Sequence, residues 1–466
     1  MTLMNAERAE AISTRTWPTA RGAASQSLLR AGIAFAAAGL LLVLNCDLAY
    51  ANASASLSVN VVPSGSPPTA NFVANFNDVH QVIDGFGGSD AFSGPLPNNV
   101  LDQMYCVNAT DPGCAQAGIG LTLLRQGIDP GLSVQANALG VIARGGKVWA
   151  TPWYVDPSNY GSSAQAITNW VSAQIAAGIP IYTVSTQNEP DCGCNGGVVW
   201  STGDTAAFAG VLGPKLHSLS PRVNLSSPEV GGVYAYPNYA AAIEADPTAN
   251  AQTDIFTFHQ YSSPDVIPQV PADGTRRVWE DEIYDSSTWD PSIAMAVNGT
   301  SKFIYDAVAT FGVNAWHYWW LMEGSMADFG NAGIIATDGV PKHYFAIGNW
   351  SRYVRPGWLR IGVSGSLSGL YGVAAFKNPS NGAFAIIAIN NSGSDIQNVT
   401  FGVSGASVKG SVTPYVTSGT PIGALGSDGN LSAGSASSNV PASLPVSGGV
   451  FTSTVPYGVT TFVGQN

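Results

Sequence analysis

The middle of the chain alternates between short apolar segments and stretches long enough to form a helix. Apolar residues in these stretches recur at intervals of three and four, as in Ile167, Trp170, Val171 and Ile175, which is the period of a helix with one buried face. The strand candidates are residues 79–86, 121–126, 148–153, 181–186, 223–227, 254–259, 276–280 and 313–319. Eight such strands are typical of a (β/α)8 barrel, whereas a doubly wound sheet usually has about five or six. The pattern therefore predicts an α/β fold with a (β/α)8 TIM barrel.

The sequence beyond Pro356 and Gly357 has a different texture, with short strand candidates between turns rich in Ser, Gly and Asn. These candidates are residues 370–376, 383–389, 399–403, 411–416 and 459–463. Short strands at close spacing indicate an antiparallel β-sandwich, and a further candidate strand at 57–62 precedes the barrel and could join it. We therefore expect four regions: 1–53 as signal peptide and tail, 54–77 as the first sandwich strands, 78–355 as the catalytic barrel, and 356–466 as the sandwich.

The amino-terminal region has the order of a secretory signal peptide. Arginines in residues 1–30 are followed by an uncharged apolar run at 31–44 and then by small residues at Ala49, Ala51 and Ala53. A membrane anchor is the alternative, but the run is shorter than the roughly 20 residues that a membrane span needs. We expect cleavage near Ala51 or Ala53 and a secreted, periplasmic or extracellular protein with no membrane attachment after cleavage.

Four cysteines follow the signal region, which fits an oxidising compartment and allows three pairings. They are Cys106, Cys114, Cys192 and Cys194. Local bridges are favoured, with Cys192 and Cys194 stiffening the loop after Glu189. The spacing contains no C-x-x-C pair and no histidine cluster lies nearby, so neither zinc nor any other metal or cofactor is expected.

The charge balance bears on the kind of partner that the protein binds. The chain has 18 basic against 30 acidic residues and no basic stripe, so we expect no nucleic-acid partner. It also carries 12 Trp and 17 Tyr with only 10% charged residues, and aromatic rings offer flat apolar faces to the C–H groups of sugars. The composition favours a neutral polysaccharide ligand, and we expect a monomer.

Functional side chains of a (β/α)8 barrel lie where the strands end, and several chemically able residues fall at the predicted strand ends. They are Arg125, Trp153, Asn188, Glu189, His259, Tyr261, Glu280, Asp281, Glu282 and Trp319. Glu189 could instead cap the next helix, because Pro190 follows it directly. Two carboxylates on opposite strands of one barrel suit glycoside hydrolysis, in which one protonated acid serves the leaving oxygen and the other, ionised, attacks or activates water.

Four segments carry a family resemblance: VIDGFGGSDAF, TVSTQNEPD, VWEDEIY and RYVRPGWLRI. Over residues 79–466 the chain resembles glycoside hydrolase family 30, and within it the secreted branch of glucuronoxylanases and endo-xylanases. The resemblance implies a barrel with a side-associated β-sandwich, no metal or other cofactor, and retaining cleavage of a β-linked backbone. It implies Glu189 as acid/base and Glu282, at the end of W-x-x-E, as nucleophile, with Glu280 in neither role.

The same resemblance implies the substrate-binding side chains. Asn188 would hold a sugar hydroxyl beside the nucleophile, and Trp153, Tyr261 and Trp319 would form the walls of the sugar subsites. The positions of Arg125 and His259 at strand ends add these two residues to the expected substrate-binding set. One departure concerns specificity: glucuronoxylan-specific relatives carry an arginine soon after the last barrel strand that pairs with the glucuronate branch, and this chain has Met322 and Glu323 there.

These residues predict a secreted retaining endo-β-1,4-xylanase without strict dependence on glucuronate. The alternative within the family is an endo-β-1,6-glucanase or endo-β-1,6-galactanase. From another functional class, a non-catalytic carbohydrate-binding protein on a barrel scaffold would also explain the aromatic residues, although both carboxylates are present.

Overall fold

A computed structural model describes residues 69–128, 134–193, 199–262, 276–285, 288–325 and 330–466. The expected signal peptide, the candidate strand at 57–62 and Cys194 lie outside these residues. Within them, no helix is both long enough and apolar enough to cross a membrane.

The described chain contains two sheets, one parallel and one mainly antiparallel. The first strand, β1 (Phe72–Val82), belongs to the second sheet, whereas β2 to β9 form the barrel. The barrel strands are β2 (Gly85–Ser89), β3 (Leu123–Gly127), β4 (Lys147–Thr151), β5 (Ile181–Ser185), β6 (Asn224–Gly232), β7 (Ile255–Tyr261), β8 (Arg277–Glu282) and β9 (Ala315–Glu323). They pair in parallel in chain order, and β9 pairs with both β2 and β8, so the sheet closes. The predicted (β/α)8 barrel is confirmed.

Helices connect most of these strands and cover the outside of the barrel. They are α1 (Asn98–Tyr105), α2 (Gln135–Ala143), α3 (Tyr160–Ala176), α4 (Thr202–His217), α5 (Tyr236–Ala245), α6 (Pro247–Gln252), α7 (Ile293–Asn298), α8 (Thr300–Tyr305), which continues into a π-helical turn (Asp306–Phe311), and α9 (Lys342–Ser351). In α3 the apolar residues at helical spacing, Ile167 and Val171, are buried against the barrel as the period predicts. A short strand, β10 (Gly333–Ala336), adds to the outside of β9.

The position of the first barrel strand differs from the sequence-based expectation. The segment 79–86 does not form one strand: Val79 and Val82 end β1, where they pair with Ile361 and Leu359, and the barrel begins only at Gly85. The burial of the two strands explains the difference: β1 alternates over residues 72–77 and is exposed or half-buried from 77 to 82, which suits an antiparallel sheet, whereas β2 is buried along its whole length.

The second sheet contains ten strands drawn from both ends of the described chain, which confirms the predicted antiparallel domain beside the barrel. Its strands after β10 are β11 (Leu359–Gly365), β12 (Leu370–Lys377), β13 (Ala383–Asn390), β14 (Ile396–Ser404), β15 (Lys409–Ser418), β16 (Asn430–Ala433), β17 (Leu444–Pro445), β18 (Val450–Val455) and β19 (Gly458–Gln465). This sheet has its own hydrophobic core, separate from the barrel core, in which the rings of Phe72, Phe401, Phe451 and Phe462 pack together.

A disulfide joins Cys106 to Cys114 with a Cα–Cα distance of 5.9 Å. This is one of the local pairings that the sequence favoured. Cys192 is also disulfide-bonded, and its partner lies outside the described residues.

Candidate active site

The carboxyl ends of the barrel strands bring the predicted polar residues to one place. Arg125 lies on β3, Asn188 and Glu189 follow β5, His259 and Tyr261 lie on β7, and Glu282 ends β8. Every one of them except Glu189 and Tyr261 is buried, so the group lies in the interior at this end of the barrel and reaches the surface at those two residues. The structure therefore groups the side chains that sequence reasoning selected from four distant segments.

The two carboxylates predicted to share the chemistry face each other around one imidazole. Glu189, His259 and Glu282 each offer an atom within 4.8 Å of the others. His259 Nδ1 lies 3.2 Å from Glu189 Oε1 and 3.7 Å from Glu282 Oε1. Burial alone would lower the pKa of His259, but the surrounding carboxylates of Glu282, Glu189, Glu229 and Asp281 raise it well above its ordinary value. A protonated imidazole thus separates the two acids.

Glu282 is held by donors on both of its oxygens. Arg125 donates to Oε2, and the Tyr261 hydroxyl donates to Oε1 at 3.1 Å. Burial raises the pKa of Glu282, and the charge of Glu189 acts in the same direction, while His259 and Arg125 oppose the rise. The carboxylate is therefore fixed in orientation, and its remaining exposed edge, 8% of the side chain, faces the cleft.

The backbone around Glu189 is shaped to present this side chain to the cleft. Glu189 has a left-handed φ of 47°, and its N–H donates to the Glu229 carbonyl at 3.0 Å. Gly231 lies directly against it, and a Cβ there would come within 2.8 Å of Glu189 Oε1. Asp191 fixes that glycine by accepting the N–H groups of Gly231 and Gly232 at 2.6 and 3.1 Å. Glu189 is therefore not a simple helix cap.

Glu280 is close to Glu282 in sequence but faces the interior of the barrel. Its two oxygens accept the backbone N–H groups of Glu282 and His317, both at 3.1 Å. Burial raises its pKa well above the ordinary value. Its contacts support the strand that carries Glu282 and give it no access to the cleft.

One buried acid at the site, Glu229, was missed by the sequence-based reasoning, and a second, Asp281, was placed at a strand end without a role. Glu229 on β6 accepts hydrogen bonds from Arg125 at 2.5 Å and from the Thr151 hydroxyl at 2.6 Å. Asp281 lies 3.7 Å from His259 Nε2. The predicted strand ended at residue 227, before Pro228, whereas β6 continues to Gly232 through two irregularities in its pairing with β7. Glu229 could have been selected from the sequence, because it is a carboxylate only two residues beyond the predicted strand end.

Aromatic rings line the cleft beside the carboxylates. Trp153 and Trp319 lie with their ring centroids 5.9 Å apart, and the Arg125 guanidinium lies 4.9 Å from the Trp153 centroid and 5.7 Å from that of Trp319. Phe92, which sequence reasoning did not select, is 53% exposed and makes an edge contact with Trp153. These rings form an apolar wall suited to the faces of sugar rings.

At this site, two groups of side chains have the number of ligand atoms that a metal ion would need, and both contain His259. They are Glu189 with His259 and Glu282, and Glu229 with His259 and Asp281. The carboxylates around His259 raise its pKa, which favours the protonated ring, and a protonated imidazole has no free lone pair for a metal. Arg125 and His259 supply the positive charge that these carboxylates need.

Comparison with known proteins places this geometry in a family context. No family model matches the chain. A glucuronoxylanase, XynC, of Bacillus subtilis (strain 168) is 26% identical over 443 residues, which cover 87% of this chain and 95% of the relative. A family 30 subfamily 8 xylanase, Xyn30A, of Clostridium acetobutylicum is 26% identical, and its structure superposes with a TM-score of 0.70 over 85% of this chain and 100% of that chain.

The chain is a relative of the glycoside hydrolase family 30 xylanases. A family 30 endoxylanase of Clostridium papyrosolvens C71 shares the fold at 24% identity, with a TM-score of 0.69 over 85% of this chain and 100% of that chain. These comparisons confirm the resemblance to family 30 that the sequence motifs indicated. They also support the prediction that the chain is a xylanase-like glycoside hydrolase.

Proposed function

We propose that this chain is a secreted, retaining endo-β-1,4-xylanase that cleaves the backbone of plant xylan. The observation that carries the proposal is the pair Glu189 and Glu282, whose nearest oxygens lie within 4.8 Å at the mouth of the barrel. Retaining glycosidases separate their carboxyl groups by about 5 to 5.5 Å, whereas inverting ones need about 6.5 to 9.5 Å to admit a water. The short separation supports a covalent intermediate.

In the first step, a Glu282 oxygen bonds to the anomeric carbon while the bond to the leaving oxygen breaks and Glu189 gives that oxygen its proton. In the second step, Glu189 takes a proton from water, the water oxygen bonds to the anomeric carbon, and the bond to Glu282 breaks. Each step inverts the anomeric centre, so the product keeps the β configuration. Glu189 ends protonated and Glu282 ionised, as at the start.

The neighbouring residues assist this sequence in ways that their contacts suggest. Arg125 and Tyr261 orient the Glu282 carboxylate, and Asn188, whose Oδ1 accepts from Arg125, presents its amide toward the sugar that Glu282 attacks. His259 lies against Glu189 and compensates the charge that develops there when the leaving group departs. Trp153 and Trp319 hold flanking sugar rings.

The substrate need not carry glucuronate. Met322 and Glu323 occupy the end of β9, where the glucuronoxylan-specific relatives resembled by this chain carry an arginine. A charge-assisted hydrogen bond contributes about 1.5 to 3 kcal/mol, which is roughly 10- to 100-fold in affinity. Met322 and Glu323 offer no positively charged donor to a glucuronate branch, so we propose a xylanase that accepts unbranched regions.

Product analysis on defined polysaccharides tests the proposal. We expect the purified protein to release oligosaccharides from both glucuronoxylan and arabinoxylan, with internal cleavage seen as a rapid fall in viscosity. Release from β-1,6-linked glucan or galactan in place of xylan would support the alternative linkage within the family. Binding to xylan without any release from any of these chains would favour the non-catalytic reading.

Secretion is tested separately by locating the exported protein and identifying its first residue. Expression of the full chain in a bacterium with an export pathway should yield active protein outside the cytoplasm that begins near residue 52 or 54, as read by mass spectrometry. A protein retained with residues 1–53 intact would contradict the proposed signal peptide.

A further inference from the structure

Glu229 is a third carboxylate at the site, and the two-step reaction does not use it. Its side chain is fully buried, and its backbone has a left-handed φ of 57°, which a residue other than glycine rarely adopts. The pairing of its strand with β7 is irregular at this position, between Pro228 and Val230, and again between Val230 and Gly232. The fold therefore directs this side chain into the floor of the cleft at a conformational cost.

The contacts of Glu229 reach both halves of the proposed machinery. Its Oε1 accepts from Arg125 at 2.5 Å, and the same guanidinium donates to Glu282 and to Asn188. The same oxygen lies 3.6 Å from Nε2 of His259, whose other nitrogen faces Glu189. The second oxygen accepts from the Thr151 hydroxyl at 2.6 Å.

We propose that Glu229 is a positioning residue that holds Arg125 and His259 in the orientations in which they serve Glu282 and Glu189. It lies behind these side chains and touches no substrate. The inference rests on the proposed glycosidase function of the site and adds to it a residue that acts through two others.

The charges around His259 explain why this position requires an ionised acid. Glu189 faces the ring from the loop after β5, Glu282 and Asp281 face it from β8, Arg125 from β3, and Tyr261 from its own strand. On the Nε2 side the acids are Glu229 and Asp281. Burial raises the pKa of Asp281 to about 8, and the charge of Glu229 acts in the same direction.

The opposite holds for Glu229. Burial alone would raise its pKa, but Arg125 and His259 outweigh burial and lower the pKa to about 2. Glu229 is thus the ionised partner of the imidazolium on that side.

The test compares Glu229→Gln with a matched control, Asp84→Asn. Asp84 is also a buried acid that accepts from an arginine, Arg277, and from the Trp279 ring nitrogen at 2.9 Å, but it lies before β2 at the opposite end of the barrel. For protein that is folded by circular dichroism, we expect Glu229→Gln to lower kcat by roughly 10- to 100-fold with KM changed less than about 3-fold. Asp84→Asn should keep the wild-type kcat.

A substrate-independent readout separates positioning from general loss of structure. The chain has 5 histidines, so the ring carbons of labelled histidine can be assigned by NMR with one His→Gln variant each. We expect His259 to lose its proton at a lower pH in Glu229→Gln than in the wild type, and Asp84→Asn to leave this titration unchanged. This readout distinguishes failure of the inference from failure of the xylanase proposal, because it needs no substrate.

Two outcomes would overturn the inference: a folded Glu229→Gln variant with kcat within about 2-fold of wild type, or an unaltered titration of His259 in that variant. If Glu229→Gln does not fold, Thr151→Val decides the matter, because it removes the hydroxyl from Glu229 and keeps the charge. Thr151→Val should lower kcat several-fold. Thr151→Ser keeps the hydroxyl and should have nearly the wild-type kcat. A wild-type kcat in Thr151→Val would contradict the inference.

Discussion

Glu189 and Glu282 face each other across the cleft with His259 between them, its Nδ1 3.2 Å from the first carboxylate and 3.7 Å from the second. The imidazolium reduces the repulsion that two carboxylates at this separation would otherwise feel. Arg125 adds a second positive charge on the Glu282 side. The arrangement allows one acid to be ionised while the other cycles between its protonated and ionised forms.

The nucleophile assignment predicts different consequences for two neighbouring glutamates. Glu282→Gln should lower kcat at least about 10³-fold, because an amide cannot form the glycosyl ester. Glu280→Gln should keep most of the kcat but lower the free energy of unfolding by about 1 to 3 kcal/mol, because one of two backbone N–H groups loses its acceptor. Steady-state kinetics and thermal denaturation measure both effects; full activity in Glu282→Gln with loss in Glu280→Gln would reverse the assignment.

The separation of the two carboxylates predicts the stereochemistry of the product. Proton NMR during the first minutes of xylan hydrolysis should show the β-anomer of the new reducing end before mutarotation produces the α-anomer. An α-anomer that appears first would show direct attack by water and rule out Glu282 as a covalent nucleophile.

The position of Glu323 at the end of β9 predicts that replacing it with a neutral residue changes the preference for glucuronate-branched over unbranched substrate. Glu323→Gln should raise kcat/KM a few-fold on a xylo-oligosaccharide with a glucuronate branch, because one like charge is lost, and should leave the unbranched oligosaccharide unaffected. The ratio of the two kcat/KM values, measured side by side, is the readout. An unchanged ratio would mean that the branch does not approach Glu323.

The aromatic wall predicts a loss of binding on truncation of Trp153. Trp153→Ala should raise KM for xylo-oligosaccharides about 2- to 10-fold through the lost ring face, whereas Trp153→Phe should recover most of the affinity. If both variants bind as tightly as wild type in titration calorimetry, Trp153 lines the cleft without contacting the sugar.

The buried acid Asp90 predicts a pH dependence of stability. Its Oδ2 accepts from Gln126 and Asn137, both at 2.9 Å, and burial raises its pKa to about 7. Because the folded-state pKa is raised, the contribution of Asp90 is fully present below about pH 4 and is lost as pH rises toward 7, at about 1.4 kcal/mol per pH unit.

Asp90→Asn removes this titration, so its free energy of unfolding should fall less steeply than that of wild type between pH 4 and 7. Denaturant unfolding at several pH values measures the two slopes. Equal slopes would show that Asp90 is ionised throughout that range.

Periodicity and local motifs in the sequence determined much of the fold and of the candidate site. Seven barrel strands lie close to their expected positions, because buried parallel strands are nearly continuous apolar runs. Glu189 and Glu282 could be selected because each follows such a run, and strand ends are where a barrel concentrates its chemistry. The boundary near β1 was misplaced, since the pairing of Val79 with Ile361 depends on a strand far away in sequence.

Only the tertiary structure decided the surroundings of each acid. Glu229, Glu280, Asp281 and Glu282 are alike in sequence as carboxylates near strand ends, yet their partners differ. Backbone irregularity in β6 turns Glu229 toward Arg125, and an irregularity in the pairing of β8 with β7, between Glu280 and Glu282, gives these two carboxylates different surroundings. The residue types and their spacing determined which groups could react. The surroundings of Glu189 and its partners depend on contacts, burial and charge between segments that are distant in sequence, and therefore only the tertiary structure determined them.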